Sequence, residues 1–311
     1  MSAVSGARSL PRPGLASARQ ACRDYVALTK PRIMSLLVLT AVCAMIAAAG
    51  GKPAPLRLLA LVIGGALACG GASALNHVLD RDIDRLMGER TASRPVAAGR
   101  IAPARAVAFA AILTLLSFAI MAAFDNLLAA TLAIAGGAFY VVVYTLGLKR
   151  RTTQNIVIGG AAGAIPALSG WAAASGHLGA GAWYLFAAVL VWTPPHFWAL
   201  ALLLQREYAA ARVPMLPVVR GARTTARQVL LYALLLAAVT IVPGATGTFG
   251  AFYLGSAVAL GTVFCGLAWK LWRSVASGGE VGRERAAVLF HFSLLYLALL
   301  FAAVAVDAAI R

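Results

Sequence analysis

A short acidic run follows a long apolar segment, in a chain of 311 residues that contains only ten Asp and Glu. If the helix continues through this run, Asn76, Asp80 and Asp84 fall at i, i+4 and i+8 on one face, each about 6 Å further along the axis. Closely spaced oxygen ligands suit a hard divalent cation such as Mg²⁺. Proteins usually hold Mg²⁺ with one or two carboxylates, while a substrate phosphate completes its shell.

The same run also allows a structural interpretation, in which i, i+3 ion pairs stabilise a solvent-exposed helix end. The candidate pairs are Arg81 with Asp84, and Asp82 with Arg85. These residues alone leave both interpretations open. Asp82 points away from the face of the ladder, so we expect it to pair with Arg85 rather than to bind a metal.

Composition sets the class of the protein. Hydrophobic residues make up 61% of the chain and charged residues 12%, and the mean hydropathy is +0.85. These values predict an all-α integral membrane protein. Since a span needs about 20 apolar residues, we expect about nine transmembrane helices, near 32–50, 56–76, 104–124, 127–147, 154–174, 181–204, 228–247, 250–272 and 286–309.

The chain has a net charge of +17, and its basic residues lie mostly in the connections between spans. This distribution argues against nucleic acid as a partner. Of the 27 Lys and Arg, 24 lie before the first span or in the even-numbered connections. The other side keeps only Lys52, Arg57 and Arg311. The positive-inside rule therefore predicts a cytoplasmic N-terminus and nine spans.

Residues 1–28 precede the first span and are rich in Arg, Ser and Ala, with Asp24 as their only acid. A mitochondrial transit peptide has that composition, but Ala and Arg are plentiful throughout the chain. We therefore expect a cytoplasmic tail in a protein of the bacterial inner membrane, with the mitochondrial inner membrane as the alternative. Residues 29–311 then form one polytopic membrane domain.

The predicted cytoplasmic side also gathers cations. Arg90 and Arg94 follow the acidic run, and Lys149 and Arg150 follow the fourth span. Carboxylates that hold a cation, together with Arg forks and a Lys charge, suit a diphosphate. Alternatively, such cations only set topology and bind anionic lipid headgroups.

A second polar group lies inside apolar sequence, where His196 follows Pro194 and Pro195. The prolines should break or kink the helix and free backbone carbonyls, so we expect this part to face an internal cavity. An ionisable residue at that depth points to function. The imidazole could ligate a haem iron, accept a proton, or hydrogen-bond a neighbouring helix.

Together, these motifs resemble the UbiA superfamily of membrane prenyltransferases, and within it the branch that farnesylates protohaem IX. The resemblance covers residues from about 25 to 230. It rests on LTKPR at 28–32, NHVLDRDID at 76–84, RTASRP at 90–95, YTLGLKR at 144–150, NIVIGG at 155–160, PPHFWAL at 194–200 and PMLPVV at 214–219.

The resemblance implies a UbiA-type helical bundle that transfers farnesyl from farnesyl diphosphate to a vinyl group of haem B, giving haem O. It implies Mg²⁺ on Asn76, Asp80 and Asp84. The diphosphate would be bound by Lys30, Arg90, Arg94, Lys149 and Arg150. Asp80, Asp84, Lys149 and His196 would be catalytic, with His196 in the haem pocket.

The same resemblance implies membrane lipid as surroundings, and haem A synthase or oxidase assembly proteins as partners. Relatives that act on other rings usually carry a second pair of aspartates after the sixth span. Here that connection offers only Glu207, a weak candidate for a metal ligand.

Three alternatives remain at this stage. A UbiA-type enzyme could act on a quinone precursor, although the missing second acidic pair and the PPHFWAL string count against it. A transporter would use the acids for ion coupling, but these acids cluster at one membrane face. A non-catalytic haem-binding factor for oxidase assembly would need His196 but not the acidic ladder.

Overall fold

Apolar segments of membrane-spanning length must satisfy their backbone hydrogen bonds internally, and a helix does so within one segment. The structure, a computed structural model that describes residues 15–276 and 282–311, contains helices and no strand in those residues. The helices are α1 (Leu15–Leu28), α2 (Pro31–Ala48), α3 (Pro55–Leu79), α4 (Arg81–Leu86), α5 (Glu89–Ala92), α6 (Pro103–Phe124), α7 (Leu127–Ala138), a π-helix (Phe139–Leu148), α8 (Asn155–Ser175), α9 (Ala180–Leu203), α10 (Gln205–Ala210), α11 (Leu216–Ala245), α12 (Ala251–Ala276) and α13 (Gly282–Ile310).

The prediction of nine spans is confirmed for the described part of the chain. The fourth span joins α7 to the π-helix, and the other eight spans are α2, α3, α6, α8, α9, α11, α12 and α13. The largest difference lies at the seventh span, since α11 begins at Leu216 rather than near residue 228. Gly221 interrupts this helix with φ 77° and ψ 169°, a conformation that a residue without a side chain adopts easily.

The spans form a closed ring. Each span packs against the next one along the chain, and α13 closes the ring by packing against α2. Among the further contacts, α2 with α8 and α9 with α13 cross between non-consecutive spans. The end of α3 that carries Asn76 and the part of α9 that carries His196 thus lie in different spans of one ring.

Local sequence explains where several spans begin and how closely they approach. Pro31, Pro55 and Pro103 open α2, α3 and α6, where a missing backbone N–H costs no helical hydrogen bond. Gly170 lets α8 lie directly against the backbone of Ala41 in α2, with no room for a Cβ atom. Small residues at helix contacts are typical of membrane bundles.

Basic connections meet at one end of the bundle. Lys30, before α2, and Lys149, before α8, both reach the carboxyl end of α3. Arg57, one of the three basic residues of the other side, donates to the carbonyl of Ala174 at 3.5 Å, beside the end of α8. Which end faces the cytoplasm stays a prediction.

The predicted N-terminal tail contains a helix where the structure describes it. Residues 15–28 form α1, and residues 1–14 of that segment lie outside the described part. The Asp24 carboxylate accepts hydrogen bonds from the Arg100 guanidinium at 3.0 to 3.1 Å, and Leu28 is fully buried. Helix α1 is therefore held against the connection that precedes α6, and Lys30 lies two residues beyond its end.

Candidate active site

The acidic run forms a buried cluster, although its helix is not continuous as predicted. Helix α3 ends at Leu79, Asp80 has φ −94° and ψ 5°, and α4 starts at Arg81. The i to i−4 backbone bonds nevertheless persist across the break, from Asp80 N to Asn76 O at 2.9 Å and from Asp84 N to Asp80 O at 2.8 Å. All three ladder side chains are therefore buried together, at 0 to 2% exposure.

Each of these three side chains is hydrogen-bonded to one cation from a different part of the chain. Lys30 Nζ donates to Asn76 Oδ1 at 2.8 Å. Lys149 Nζ donates to Asp80 Oδ2 at 2.5 Å, and Arg94 donates to Asp84 Oδ1 at 2.6 Å. Within the ladder, Asn76 Nδ2 donates to Asp80 Oδ2 at 2.6 Å. The sequence predicted all of these residues for the site, and the fold brings them together.

Lys30 occupies an unusual backbone conformation at this site. Its φ of 50° and ψ of 60° lie in the left-handed region, which a residue with a side chain rarely adopts. Strain of this kind clusters at functional sites, where surrounding structure holds it in place. Burial, and then the charges of Arg94 and Lys149, lower the pKa of Lys30 to about 7. A bound anion at this site would favour the charged form of the Lys30 amine.

Two carboxylate oxygens of the cluster are left without a hydrogen-bond partner. Asp80 Oδ1 and Asp84 Oδ2 are buried and accept no hydrogen bond. Burial raises the pKa of Asp84, against the opposing effect of Arg94. A buried charged oxygen without a hydrogen bond is costly, and binding to a divalent cation would offset that cost. The donor set therefore fits Mg²⁺, which prefers oxygen ligands.

The π-helix supplies a side chain that sequence reasoning missed. Backbone bonds widen here to i to i−5, as from Lys149 N to Tyr144 O at 2.8 Å. Thr145 Oγ1 accepts from Asn76 Nδ2 at 3.2 Å and donates to the carbonyl of Tyr140 at 2.9 Å. π-helical turns are rare and often lie at functional sites. A search for 3.6-residue periodicity does not detect the wider turn, and only the polarity of Thr145 in apolar sequence hinted at it.

Asp82 does not pair with Arg85, so that prediction was wrong. Its carboxylate accepts two bonds from Arg150, at 2.6 and 2.7 Å, and Arg150 lowers the pKa of Asp82 to about 2. Arg85 instead donates to the carbonyl of Ala97 at 2.9 Å. Arg150, which the sequence predicts as a diphosphate ligand, lies at the rim. It is 40% exposed, and its nearest approach to Asp80 is 3.8 Å.

The other ion pair considered for the run is also absent from the part of the chain that the structure describes. Arg81 donates to the carbonyl of Val78 at 2.9 Å rather than to Asp84. The two i, i+3 pairs on which the structural interpretation depended are therefore not formed. The acids of the run are matched to cations from distant segments.

Arg90 and Glu207 lie near the site but outside the core of the cluster. Arg90 is exposed, but it is near enough for its charge to act on Tyr208. Burial raises the pKa of Tyr208 to about 12, and the charges of Arg94 and Arg90 oppose that rise. Glu207 is half-buried beside Tyr208. Within residues 15–276 and 282–311, no three His, Cys, Asp or Glu form a candidate metal cluster. Glu207 therefore does not join the two aspartates.

His196 lies on a different wall of the ring. Helix α9 continues from Ala180 to Leu203 through both prolines, so of the predicted break or kink the break does not occur. The imidazole is stacked between the rings of Trp192 and Phe290, with centroid distances of 4.3 and 4.9 Å, and its Nδ1 lies 2.6 Å from Ser293 Oγ. His196 is thus buried at the contact of α9 with α13.

An apolar cluster lies between this wall and the acidic site. Phe197, whose ring is 5.2 Å from that of His196, packs into the cluster that contains Ile83 of α4. Tyr144 of the π-helix packs against the same cluster. The two polar centres are therefore joined by aromatic and aliphatic side chains.

Comparison with known proteins agrees with this arrangement. The model of the UbiA prenyltransferase family matches residues 37–294. The chain belongs to this family. A UbiA relative from Gloeobacter violaceus, a protoheme IX farnesyltransferase, is 51% identical over 300 residues, which cover 96% of this chain and 95% of the relative.

Solved structures share the UbiA fold. One, from a study of digeranylgeranylglyceryl phosphate synthase in membranes, aligns with a TM-score of 0.76 at 19% identity, covering 94% of this chain and all of the other. A UbiA homologue from Archaeoglobus fulgidus, bound to GPP and Mg²⁺, aligns with a TM-score of 0.65 at 14% identity, covering 90% and 99%. The likeness confirms the predicted UbiA-type bundle.

Proposed function

We propose that this chain transfers a farnesyl group from farnesyl diphosphate to a vinyl group of haem B, forming haem O for terminal oxidases. The observation that carries the proposal is the buried cluster at the end of α3, where two carboxylates with free oxygens meet three cations. The name of the Gloeobacter relative supports haem as the acceptor.

Asn76, Asp80 and Asp84 would hold Mg²⁺ at this site. When bound there, the ion would neutralise charge on the diphosphate oxygens and stabilise diphosphate as a leaving group. The free oxygens of the two aspartates support this assignment, as does Mg²⁺ in the Archaeoglobus homologue.

Three cations are placed to bind the diphosphate itself. Lys30, Lys149 and Arg94 each lie within hydrogen-bond distance of one ladder residue. A diphosphate bound beside the ladder therefore lies within reach of all three. Arg90 and Arg150 are exposed, and we assign them to the entrance, where they would attract the anion. Charge-assisted bonds to phosphate are about twice as strong as neutral ones.

These donors favour breaking the allylic C–O bond, in which diphosphate leaves with the electron pair. The vinyl π electrons of haem then form the new C–C bond. Water adds to the resulting side-chain cation and loses a proton, which completes the hydroxyethylfarnesyl product. The donors are fixed before reaction by buried contacts, which is the source of their stabilising effect.

The allylic cation must be protected from water until the C–C bond forms. The rings of Tyr140 and Tyr144 stack at 5.6 Å on the π-helix, beside Asp80. Aromatic faces attract a cation through their quadrupole. We assign Tyr144 this role, since its ring also packs against the apolar cluster that leads to Phe197.

His196 is assigned to the haem pocket, as an axial ligand or as a proton acceptor near the reacting vinyl. We place the acidic end of the bundle at the cytoplasmic face of a bacterial inner membrane, from the positive-inside rule. Haem A synthase or oxidase assembly proteins would then receive the product.

One experiment tests the proposal directly. The chain is expressed in cells that lack the activity, and their haem is extracted and weighed. A mass increase of one farnesyl group and one hydroxyl group supports the proposal, whereas a mass unchanged from haem B refutes it. The Asp80→Ala variant should lose product yet still bind haem. Normal haem O from that variant would exclude the mechanism and favour a role for some other site.

A further inference from the structure

Ser293 of α13 makes two short contacts through one hydroxyl group. Its Oγ lies 2.6 Å from the carbonyl oxygen of Phe290 and 2.6 Å from His196 Nδ1. The residue is fully buried. Both contacts must therefore be satisfied by the single proton of the hydroxyl and the protons that its neighbours carry.

One placement of the protons makes both contacts hydrogen bonds. A carbonyl oxygen only accepts, so in that placement the Ser293 hydroxyl donates its proton to Phe290. Toward His196 the same oxygen can then only accept. Nδ1 must therefore carry a proton, and in a neutral imidazole the other nitrogen, Nε2, is left unprotonated.

We propose that Ser293 is a positioning residue that holds His196 in the Nδ1–H tautomer and so directs the Nε2 lone pair toward haem. This inference rests on the proposed haem role of His196. Nε2 is the nitrogen that can ligate iron or accept a proton only while it stays unprotonated. Ligating histidines commonly have their second nitrogen held by such a hydrogen bond.

The surroundings also fix the ring plane. Trp192 and Phe290 stack on the two faces of the imidazole, with interplanar angles of 16° and 24°. Trp192 Nε1 donates to the carbonyl of Ser293 at 2.8 Å, which ties the stacking ring to the same turn of α13. Across the residues that the structure describes, His196 Nε2 makes no hydrogen bond. The turn of α13 from Phe290 to Ser293 therefore sets both the tautomer and the orientation.

The tautomer is measured first, on the full-length protein in lipid without haem. Histidine labelled with ¹⁵N gives separate signals for protonated and unprotonated ring nitrogens, and a His196→Gln variant identifies the relevant pair. Wild type should show Nδ1–H, and Ser293→Ala should shift the population toward Nε2–H by about tenfold, the loss of one hydrogen bond. Nε2–H in wild type, or an unchanged ratio in Ser293→Ala, would overturn the proposal.

Conservative and matched variants separate positioning from packing. Ser293→Thr keeps a hydroxyl and should keep the wild-type tautomer. Ser169→Ala removes another buried serine, which donates to the carbonyl of Ala129 at 2.9 Å on α7, and should leave the His196 signals unchanged. If Ser169→Ala shifts the tautomer as much as Ser293→Ala does, the effect is general loosening and the proposal is wrong.

Haem binding is measured second, from the Soret band during titration with haem B. Ser293→Ala should weaken binding about 10- to 100-fold, the usual effect of losing the partner of a ligating histidine. A shifted tautomer with unchanged haem affinity would show that His196 does not bind haem through Nε2, and would overturn that half of the proposal. Farnesyl transfer measured on the same variants reports separately on the proposed function.

Discussion

Two aspartates on the short helix α4 allow a sharp test of the candidate site, because they lie two residues apart and face different surroundings. Asp84 is 1% exposed, pairs with Arg94 and keeps one oxygen free. Asp82 is 60% exposed at its side chain and pairs with Arg150. Changing each to Asn removes a charge at nearly constant shape. Only Asp84→Asn should impair the reaction strongly.

The expected magnitudes differ by about two orders. Removing a preorganised group that stabilises a leaving group commonly costs about 10²- to 10³-fold in kcat, and we expect this for Asp84→Asn. An exposed ion pair contributes about 0.2–1 kcal/mol, so Asp82→Asn should change the rate by less than about fivefold. In Asp84→Asn, the amide oxygen of the new side chain would still accept one hydrogen bond from Arg94, which limits the effect on folding.

Both variants are assayed for haem O formation by mass at saturating farnesyl diphosphate, with thermal unfolding as a control for the fold. Binding of Mn²⁺, followed by its paramagnetic signal with diphosphate present, gives a second readout that should weaken only in Asp84→Asn. The reasoning is refuted if Asp84→Asn keeps a third or more of the wild-type rate while folded. It is equally refuted if Asp82→Asn loses activity to the same extent.

Three further predictions concern stability. Burial raises the pKa of Asp125, after α6, to about 7, so the folded protein binds a proton that the unfolded chain releases near pH 4. The melting temperature should therefore fall as pH rises from about 4 to 7, and Asp125→Asn should remove that dependence. Gly170→Ala should lower the melting temperature markedly, because the new Cβ would collide with Ala41. Overpacking of this kind typically costs about 1–3 kcal/mol. Gly163→Ala on the same helix has open space around it and should leave the melting temperature unchanged. Asp307 accepts backbone bonds at the start of α12, at 2.6 and 3.2 Å, so Asp307→Ala should cost about 0.5–2 kcal/mol in unfolding experiments without changing kcat.

Much of the fold could be predicted from the sequence because hydropathy and charge are local properties. Each span is recognisable from its own residues, and the basic residues mark alternate connections. The start of α11 could not be predicted, since Leu216 to Arg220 continue as helix only across the irregular Gly221. The helix through Pro194 and Pro195 was also unexpected, because the bundle holds both prolines within a helix that their local preferences oppose.

By itself, the sequence predicted the chemical groups of the two polar centres: the Asn and Asp ladder with its nearby cations, and His196 within the sixth span. Only the tertiary structure decided their partners. Lys149 contacts Asp80, which is 69 residues away in sequence, and Ser293 contacts His196, which is 97 residues away. Asp82 pairs with Arg150 instead of the expected Arg85. Local spacing fixes which face of a helix a side chain occupies, but a buried charge or imidazole takes its partner from whichever segment the ring of spans brings beside it. The tertiary structure likewise decides the π-helix, whose wider turn brings Thr145 within hydrogen-bond distance of Asn76.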